Sequence, residues 1–302
     1  MAPILPKIKL TLFLVILSFL IITVNAQLTY IHQYCYDSFG RYSLLSDYET
    51  NVETAIDELA SRASTTYYGK YATGLGEDRV IAVFSCRYDI TNEDCQDCVA
   101  STANNVSRCF SDVEGLIVYE ECTLHYSNRS ISGIMEDNPQ IISYSTGLDE
   151  DFRFNQLLDN TVTDLIKDVT SEFAVSSRYF ATTTAEYSSS ETIYALAQCN
   201  PDISSINCRL CLRTIYDDFM SNYTGTNYGQ IFTRSCRLSY ILSSEELSEP
   251  WMFAQTFDER NRYRTPRYSP RYFASSGTRG SSIIGVIMIT SLSCVALFLK
   301  LL

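Results

Sequence analysis

The sequence predicts an α+β protein of two tandem, disulfide-stapled modules, and three observations carry that expectation. A cysteine triplet of fixed spacing occurs twice, Cys86-x8-Cys95-x2-Cys98 and Cys199-x8-Cys208-x2-Cys211. Each triplet is followed at nearly the same distance by another cysteine, Cys122 and Cys236, so that one unit is used twice. Ahead of each triplet the apolar residues recur at helical spacing, and short strand-like runs separate helix from triplet.

The chain begins with Lys7 and Lys9, an apolar run from Leu10 to Ile22, and small residues at Val24-Asn25-Ala26. This is the pattern of a secretory signal peptide over residues 1–26, cleaved after Ala26. A retained membrane span would need an apolar stretch of about 18 residues or more, and this run is shorter. Of the 11 cysteines, Cys294 lies in the apolar C-terminal tail, which leaves an even set of ten in the body. In an oxidising compartment such a set reads as disulfides.

In the first module Leu44, Leu45, Tyr48, Val52, Ile56 and Leu59 define a helix, with Ser46 and Glu49 placed as a capping box. Val80 to Phe84 reads as a strand. A second helix carries the CxxC pair, with Thr91 as N-cap and Val99, Val106 and Cys109 on its inner face. The second module repeats the order: Leu157, Leu158, Val162, Leu165, Ile166, Val169 and Phe173 form the helix, and Thr192 to Leu196 the strand. Tyr71-Ala72-Thr73 is matched by Phe180-Ala181-Thr182, and four extra residues before the second triplet fall in the polar stretch around Ser188 to Ser190, read as a loop.

The far end is apolar from Ile283 to Leu299 and is read as an anchor. Ser275-Ser276-Gly277 supplies small residues for glycosylphosphatidylinositol attachment. A spanning helix instead would leave Arg260, Arg262, Arg264, Arg267, Arg271 and Arg279 outside, against the usual positive-inside bias, so the lipid anchor is favoured. The net charge is −12; with Lys7 and Lys9 removed from one end and the Arg-rich stretch from Glu259 onward from the other, residues 27–258 stand at −20. A body that acidic is a poor candidate for binding nucleic acid or anionic lipid, and no nucleic-acid partner is expected. The domain plan is 27–133 for the first module, 134–150 for a linker, 151–253 for the second module, 254–282 for an Arg-rich stalk and 283–302 for the anchor.

Catalytic and metal constellations are wanting. The chain has 2 histidines, His32 and His125, which lack the matched spacing that a zinc site around either CxxC pair would want, and His125 alternates with apolar neighbours as a sheet residue does. A redox dithiol would need a thioredoxin-like sheet, which nothing indicates. Glu120-Glu121 and Asp217-Asp218 read as surface charge, because adjacent carboxylates point apart. No cofactor is expected. The sequons at Asn105, Asn128 and Asn222 predict glycans and therefore exposed surface.

The triplet with its upstream helix, Tyr71-Ala72-Thr73-Gly74, and the run Cys122-Thr-Leu-His-Tyr-Ser-Asn-Arg-Ser130 together resemble the plant stress-antifungal, or ginkbilobin-like, domain. Tandem copies of it occur in cysteine-rich receptor-like kinases, cysteine-rich repeat secretory proteins and plasmodesmata-located proteins. The resemblance implies for each module an antiparallel sheet of about five strands with two helices packed on one face. It further implies the pairs Cys35–Cys109, Cys86–Cys95 and Cys98–Cys122, and in the second module Cys199–Cys208 and Cys211–Cys236. The second module lacks a counterpart of both Cys35 and Cys109, the latter falling at Ser221 or Asn222, and this joint absence fits their pairing with each other. Without that crosslink its N-terminal segment is expected to be less firmly tied, by about 2 to 4 kcal/mol.

A single-domain member of the family resembles a mannose-binding antifungal lectin. Its three sugar-binding positions fall here at Tyr36, Leu116 and Ser127, and in the second module at about Gln230 and Ile241, so the mannose-site residues are not retained. The function expected is therefore that of a non-catalytic cell-surface or apoplastic interaction protein in stress or defence signalling or plasmodesmal regulation, with a carbohydrate-binding lectin as the alternative. Its partner is expected to be a cell-surface receptor or a cell-wall component, and it looks like a receptor-like kinase ectodomain without the kinase.

Overall fold

The computed structural model describes residues 28–36, 42, 46–106, 109, 112–146, 151–171, 179–223 and 225–244. The expected signal peptide, Leu44, Leu45, Phe173, the expected end of the second module beyond Ser244, the expected stalk, the apolar tail and Cys294 lie outside the described residues.

The first module runs β1 (Tyr30–Cys35), α1 (Asp47–Ala63), β2 (Tyr68–Thr73), β3 (Val80–Cys86), α2 (Asn92–Val106), β4 (Glu114–Tyr119) and β5 (Cys122–Ser127). The second repeats it as β6 (Ile141–Thr146), α3 (Phe152–Val169), β7 (Phe180–Ser188), β8 (Glu191–Cys199), α4 (Ser205–Asn222), β9 (Thr226–Phe232) and β10 (Cys236–Ser243). The strands form two five-stranded sheets of identical topology, β1-β4-β5-β3-β2 and β6-β9-β10-β8-β7, with antiparallel neighbours throughout. The first strand of the second sheet, β6, comes from the stretch 134–150 that the domain plan reads as a linker. Its pairing with β9 makes residues 141–146 part of the second module.

Local chemistry starts the helices where the sequence places them. Glu49 N–H donates to Ser46 Oγ at 3.3 Å and Asp94 N–H to Thr91 Oγ1 at 3.0 Å, while the Thr91 hydroxyl returns a bond to Asp94 Oδ2 at 2.7 Å. Asp151 caps α3 and Ser204 caps α4. The apolar stripes of α1 and α2 then bury Tyr48, Val52, Ile56, Leu59 and Val99 against the face of the first sheet that carries Ala82, Phe84, Ile117, Leu124 and Tyr126. Leu158, Val162, Leu165, Leu212, Ile215 and Phe219 do the same on the second sheet. Both sheets use one repeated close approach. A side chain at Gly115 would put its Cβ 2.6 Å from the Tyr126 ring, and one at Gly229 would put it 2.7 Å from Tyr240.

Five disulfides close the modules: Cys35–Cys109, Cys86–Cys95, Cys98–Cys122, Cys199–Cys208 and Cys211–Cys236. Each triplet thus ties the end of one strand and the start of another to a single helix, and the CxxC cysteines bond away from each other rather than as a dithiol. The longest closed loop, of sequence separation 74, pins the edge strand β1 to the segment after α2 and has no counterpart in the second module. The four extra residues of the second module do not form a loop. They lengthen a hairpin, so that β7 and β8 reach nine residues each around a turn at Ser189 and Ser190.

Candidate functional site at the seam between the modules

A sheet with helices on one face leaves its other face to be covered. Here the second module covers it: β3, β4 and most of β5 are buried on both sides. At the centre of the seam, Leu116 and Val118 of the first sheet pack with Tyr36 against Ile141 and Phe232 of the second module. Two groups of charged side chains flank this apolar patch.

The first group gathers on Glu114, which is fully buried. Its carboxylate accepts from Ser127 Oγ at 2.8 Å, from Arg129 Nε and Nη2 at 2.8 Å, and from His125 Nε2 at 3.1 Å. Arg234 of the second module reaches the same carboxylate at 2.9 Å, lies 4.3 Å over the Tyr36 ring, and bridges to Glu136 at 2.9 Å. Burial opposes ionisation of Glu114, but His125, Arg129 and Arg234 overcome it and hold the carboxyl down at about 2. Burial also pushes His125 below its ordinary value. The ring is then neutral and donates through Nε2, so the two guanidiniums supply the positive charge against the two carboxylates.

The second group centres on Glu120, 2% exposed. Its Oε1 accepts from Arg87 Nη1 at 2.9 Å and from Arg237 Nη2 at 3.1 Å, its Oε2 from Gln230 Nε2 at 2.5 Å, and its main-chain carbonyl from Arg237 Nη1 at 2.8 Å. Asp89 holds the other side of Arg87 with bonds of 2.8 and 2.9 Å. Burial pushes the Arg237 guanidinium down to about 10, opposed chiefly by the charge of Glu120. Again two carboxylates face two guanidiniums, the arrangement that makes burial of charge tolerable. Beside them Glu121, half-buried, accepts from Thr29 N–H; burial and then the charge of Glu120 push its carboxyl up to about 7. Glu120 is therefore an internal cross-module bond rather than surface charge, whereas Asp217 is solvent-facing and pairs with Arg213 one turn away.

The connecting segment is laid against the second module too. Gly133 N–H and Ser132 Oγ donate to Asp202 Oδ2 at 2.6 and 3.1 Å, and Glu136 N–H donates to Ser235 Oγ at 2.8 Å. Gln198 Nε2 donates across the seam to the Cys86 carbonyl at 2.8 Å. A small polar cleft remains between the modules, lined among others by Ser85, His125, Asn200, Asp202 and Arg234. Among the described residues no cluster of His, Cys, Asp and Glu is placed to hold a metal.

The sugar-binding positions implied by the family resemblance lie on the same covered faces. Leu116, Ser127 and Gln230 are fully buried, Tyr36 and Ile241 nearly so, and Ser127 and Gln230 bond to Glu114 and Glu120. That site is altered in sequence and is also closed by the tandem packing. Of the sequons, Asn128 and Asn222 are exposed. Asn105 is not: it is 4% exposed, and its Nδ2, the atom a glycan would occupy, donates to Tyr119 Oη at 2.6 Å. The exposed surface that the sequon implies is not found at Asn105, because α2 turns this residue inward. Sequence reasoning missed the seam charges because no local period links Glu114 to Arg234 or Glu120 to Arg237. One signal was present. Val80 to Phe84 and Leu116 to Tyr119 are uninterrupted apolar runs, and in an antiparallel sheet such runs indicate cover on both faces.

The outward surface is divided by charge. The helix layer of the first module presents Glu53, Asp57, Glu93 and Asp97 to solvent, while that of the second mixes signs, with Arg213 near both Asp159 and Asp217.

Fold and seam together define a tandem, disulfide-stapled α+β protein whose two modules are joined face to face. The model of the salt stress response/antifungal family matches residues 34–129 and 143–243. The chain belongs to this family. It is 34% identical over 233 residues to cysteine-rich repeat secretory protein 1 of Arabidopsis thaliana, an alignment that covers 74% of this chain and 67% of that one. It is 35% identical over 244 residues to the Arabidopsis cysteine-rich receptor-like protein kinase 25, covering 78% of this chain and 35% of the kinase, so the chain spans about a third of that relative. Among solved structures, the tandem DUF26 ectodomain of the Arabidopsis cysteine-rich receptor-like protein PDLP8 shares the fold, with a TM-score of 0.61 at 17% identity over 71% of this chain and 98% of that one. The corresponding ectodomain of PDLP5 aligns with a TM-score of 0.55 at 21% identity over 71% and 100% of the two chains.

Proposed function

We propose that the protein is a non-catalytic extracellular interaction module, presented at the outer face of the plant cell. In this reading it binds a receptor ectodomain or a wall component in stress or defence signalling, or in plasmodesmal regulation. The observation that carries this reading is the seam. Its two charge-matched groups turn two small modules into one body and occupy the sheet faces, which leaves the helix layers and sheet edges as the surface for contact. The environment of His125, buried and bonded to Glu114, supports a structural role for the histidine best placed to act as a base. The organisation we propose is a signal peptide over 1–26, a first module to residue 133, a second module that takes in β6 and extends to 253, a stalk over 254–282 and an anchor over 283–302, with glycans on Asn128 and Asn222.

The test combines location with capture. A fluorescent protein inserted after Gln27 is expected at the cell boundary, and the secreted protein is expected to retain a membrane receptor or a wall polymer from a defined panel. Retention of the label inside the cell, or no binding to any receptor ectodomain or wall fraction, would overturn the proposal.

A further inference from the structure

The four sheet edges are not alike. β1 carries a register shift between Tyr30 and His32, and β6 one between Ser145 and Thr146. β2 is six residues long, contains Lys70, and has its Lys70 carbonyl covered by Arg62 Nη1 at 3.2 Å. Bulges, short length, lysines and covered main chain are the devices by which proteins keep an edge from pairing with another chain. β7 has a shift too, between Glu186 and Ser188, but it is longer than the other edges and the seven residues before that shift are regular. Its nine residues are lengthened by the hairpin insertion, and they pair with β8 in unbroken register from Phe180 to Glu186. Over that stretch it holds Glu186 as its one charge and no proline. Among the described residues no strand lies beyond it. Arg153 covers the carbonyl of Tyr187 at 2.6 Å, which marks where the free stretch ends, and Phe152 beside it is 80% exposed.

We infer that the β7 edge is a self-association surface, on which a second copy of this chain adds its own β7 antiparallel to join two five-stranded sheets into one. The residues fit themselves. Centred on Thr183, the pairing sets Thr182 against the second copy's Thr184, Ala181 against Ala185 and Phe180 against Glu186. No like charges face each other, and threonine pairs across antiparallel strands are favourable. Thr182, Thr184 and Glu186 project to the exposed side, while Ala181, Thr183 and Ala185 are half-buried and small enough to let two helix layers approach. The seven residues give about 23 Å of ladder. A two-fold axis through Thr183 closes the assembly at two copies. This inference goes beyond the proposed function and does not depend on the identity of any extracellular partner.

The test is the mass of the purified, secreted protein by sedimentation equilibrium from about 1 to about 500 µM. The wild-type chain is expected to pass from monomer to dimer over this range. The variant T182K/T184K, altered at exposed positions, sets lysine against lysine and is expected to remain monomeric with an unchanged circular dichroism spectrum and melting temperature. T182E/T184E is expected to do the same, and an equimolar mixture of the two variants should recover the dimer. A wild-type monomer at all concentrations, a dimer that the lysines leave intact, or a mixture that fails to associate would each overturn the inference.

Discussion

Replacing Glu120 with glutamine tests whether the seam joins the modules energetically. The substitution keeps shape but removes the charge that faces Arg87 and Arg237, which are 1% and 5% exposed. Arg87 retains Asp89, but Arg237 has no second carboxylate among its described bonds, and the new amide NH2 meets the Gln230 donor 2.5 Å away. Leaving a buried guanidinium without its counter-charge costs about 3 to 5 kcal/mol. The loss should appear as a lower midpoint in urea unfolding followed by circular dichroism at pH 7, with a broader transition as the modules uncouple. Adding R237M to E120Q removes the stranded charge as well, and the double variant should recover most of the loss. A change below about 1 kcal/mol in E120Q, or strict additivity in the double variant, would refute the view that this pair joins the modules.

Further outcomes follow from other features. Glu121 is raised to about 7 from an ordinary 4.5, so the folded state holds its proton where the unfolded chain has released it; stability is present at low pH and falls as pH rises from about 4.5 to 7. E121Q should flatten that slope and raise stability at pH 7.5 by up to about 3 kcal/mol, and an unchanged urea midpoint at pH 7.5 would contradict the assignment. Glu114 acts in the opposite sense: held at about 2, it contributes stability above pH 4.5 that is lost as pH falls towards 2, and E114Q should remove this acid limb. Removing the Cys35–Cys109 crosslink as C35S/C109S should lower stability by up to about 4 kcal/mol, since it closes a loop of separation 74, with the fold retained by circular dichroism. On gels of the secreted protein, N128Q and N222Q should each increase mobility by one glycan, whereas N105Q should shift nothing.

The repeat, the helices and the element order were legible because they depend on local patterns: capping at Ser46 and Thr91, apolar stripes of helical period, and cysteines at fixed spacing. The assignment of His125 to a sheet followed from alternation alone. The seam was not legible, because it depends on residues far apart in the chain. Glu120 and Arg237 are separated by 117 residues, and each looks like ordinary surface charge among its neighbours. The strand β6 was hidden for a related reason. Its partner β9 lies beyond two strands and two helices, and its composition, Ile-Ile-Ser-Tyr-Ser-Thr, is that of a connector as much as of an edge. Asn105 illustrates the converse: a local motif was legible, but the helix face on which it sits decides whether it reaches solvent.

The order of the crosslinks along the chain has a mechanical consequence. Cys35, Cys98, Cys109 and Cys122 interleave, so tension applied at the two ends passes through sulfur and bypasses most of the first module. In the second module the covalent closure begins only at Cys199 and ends at Cys236. The segment between Cys122 and Cys199 is therefore the stretch that can pay out under load, at about 3.3 to 3.6 Å per residue. It holds β5, β6, α3, β7 and β8. A pull applied to the two ends would draw these out while the stretches closed by the disulfides kept their shape, so the chain is built to yield in one region and by a set length.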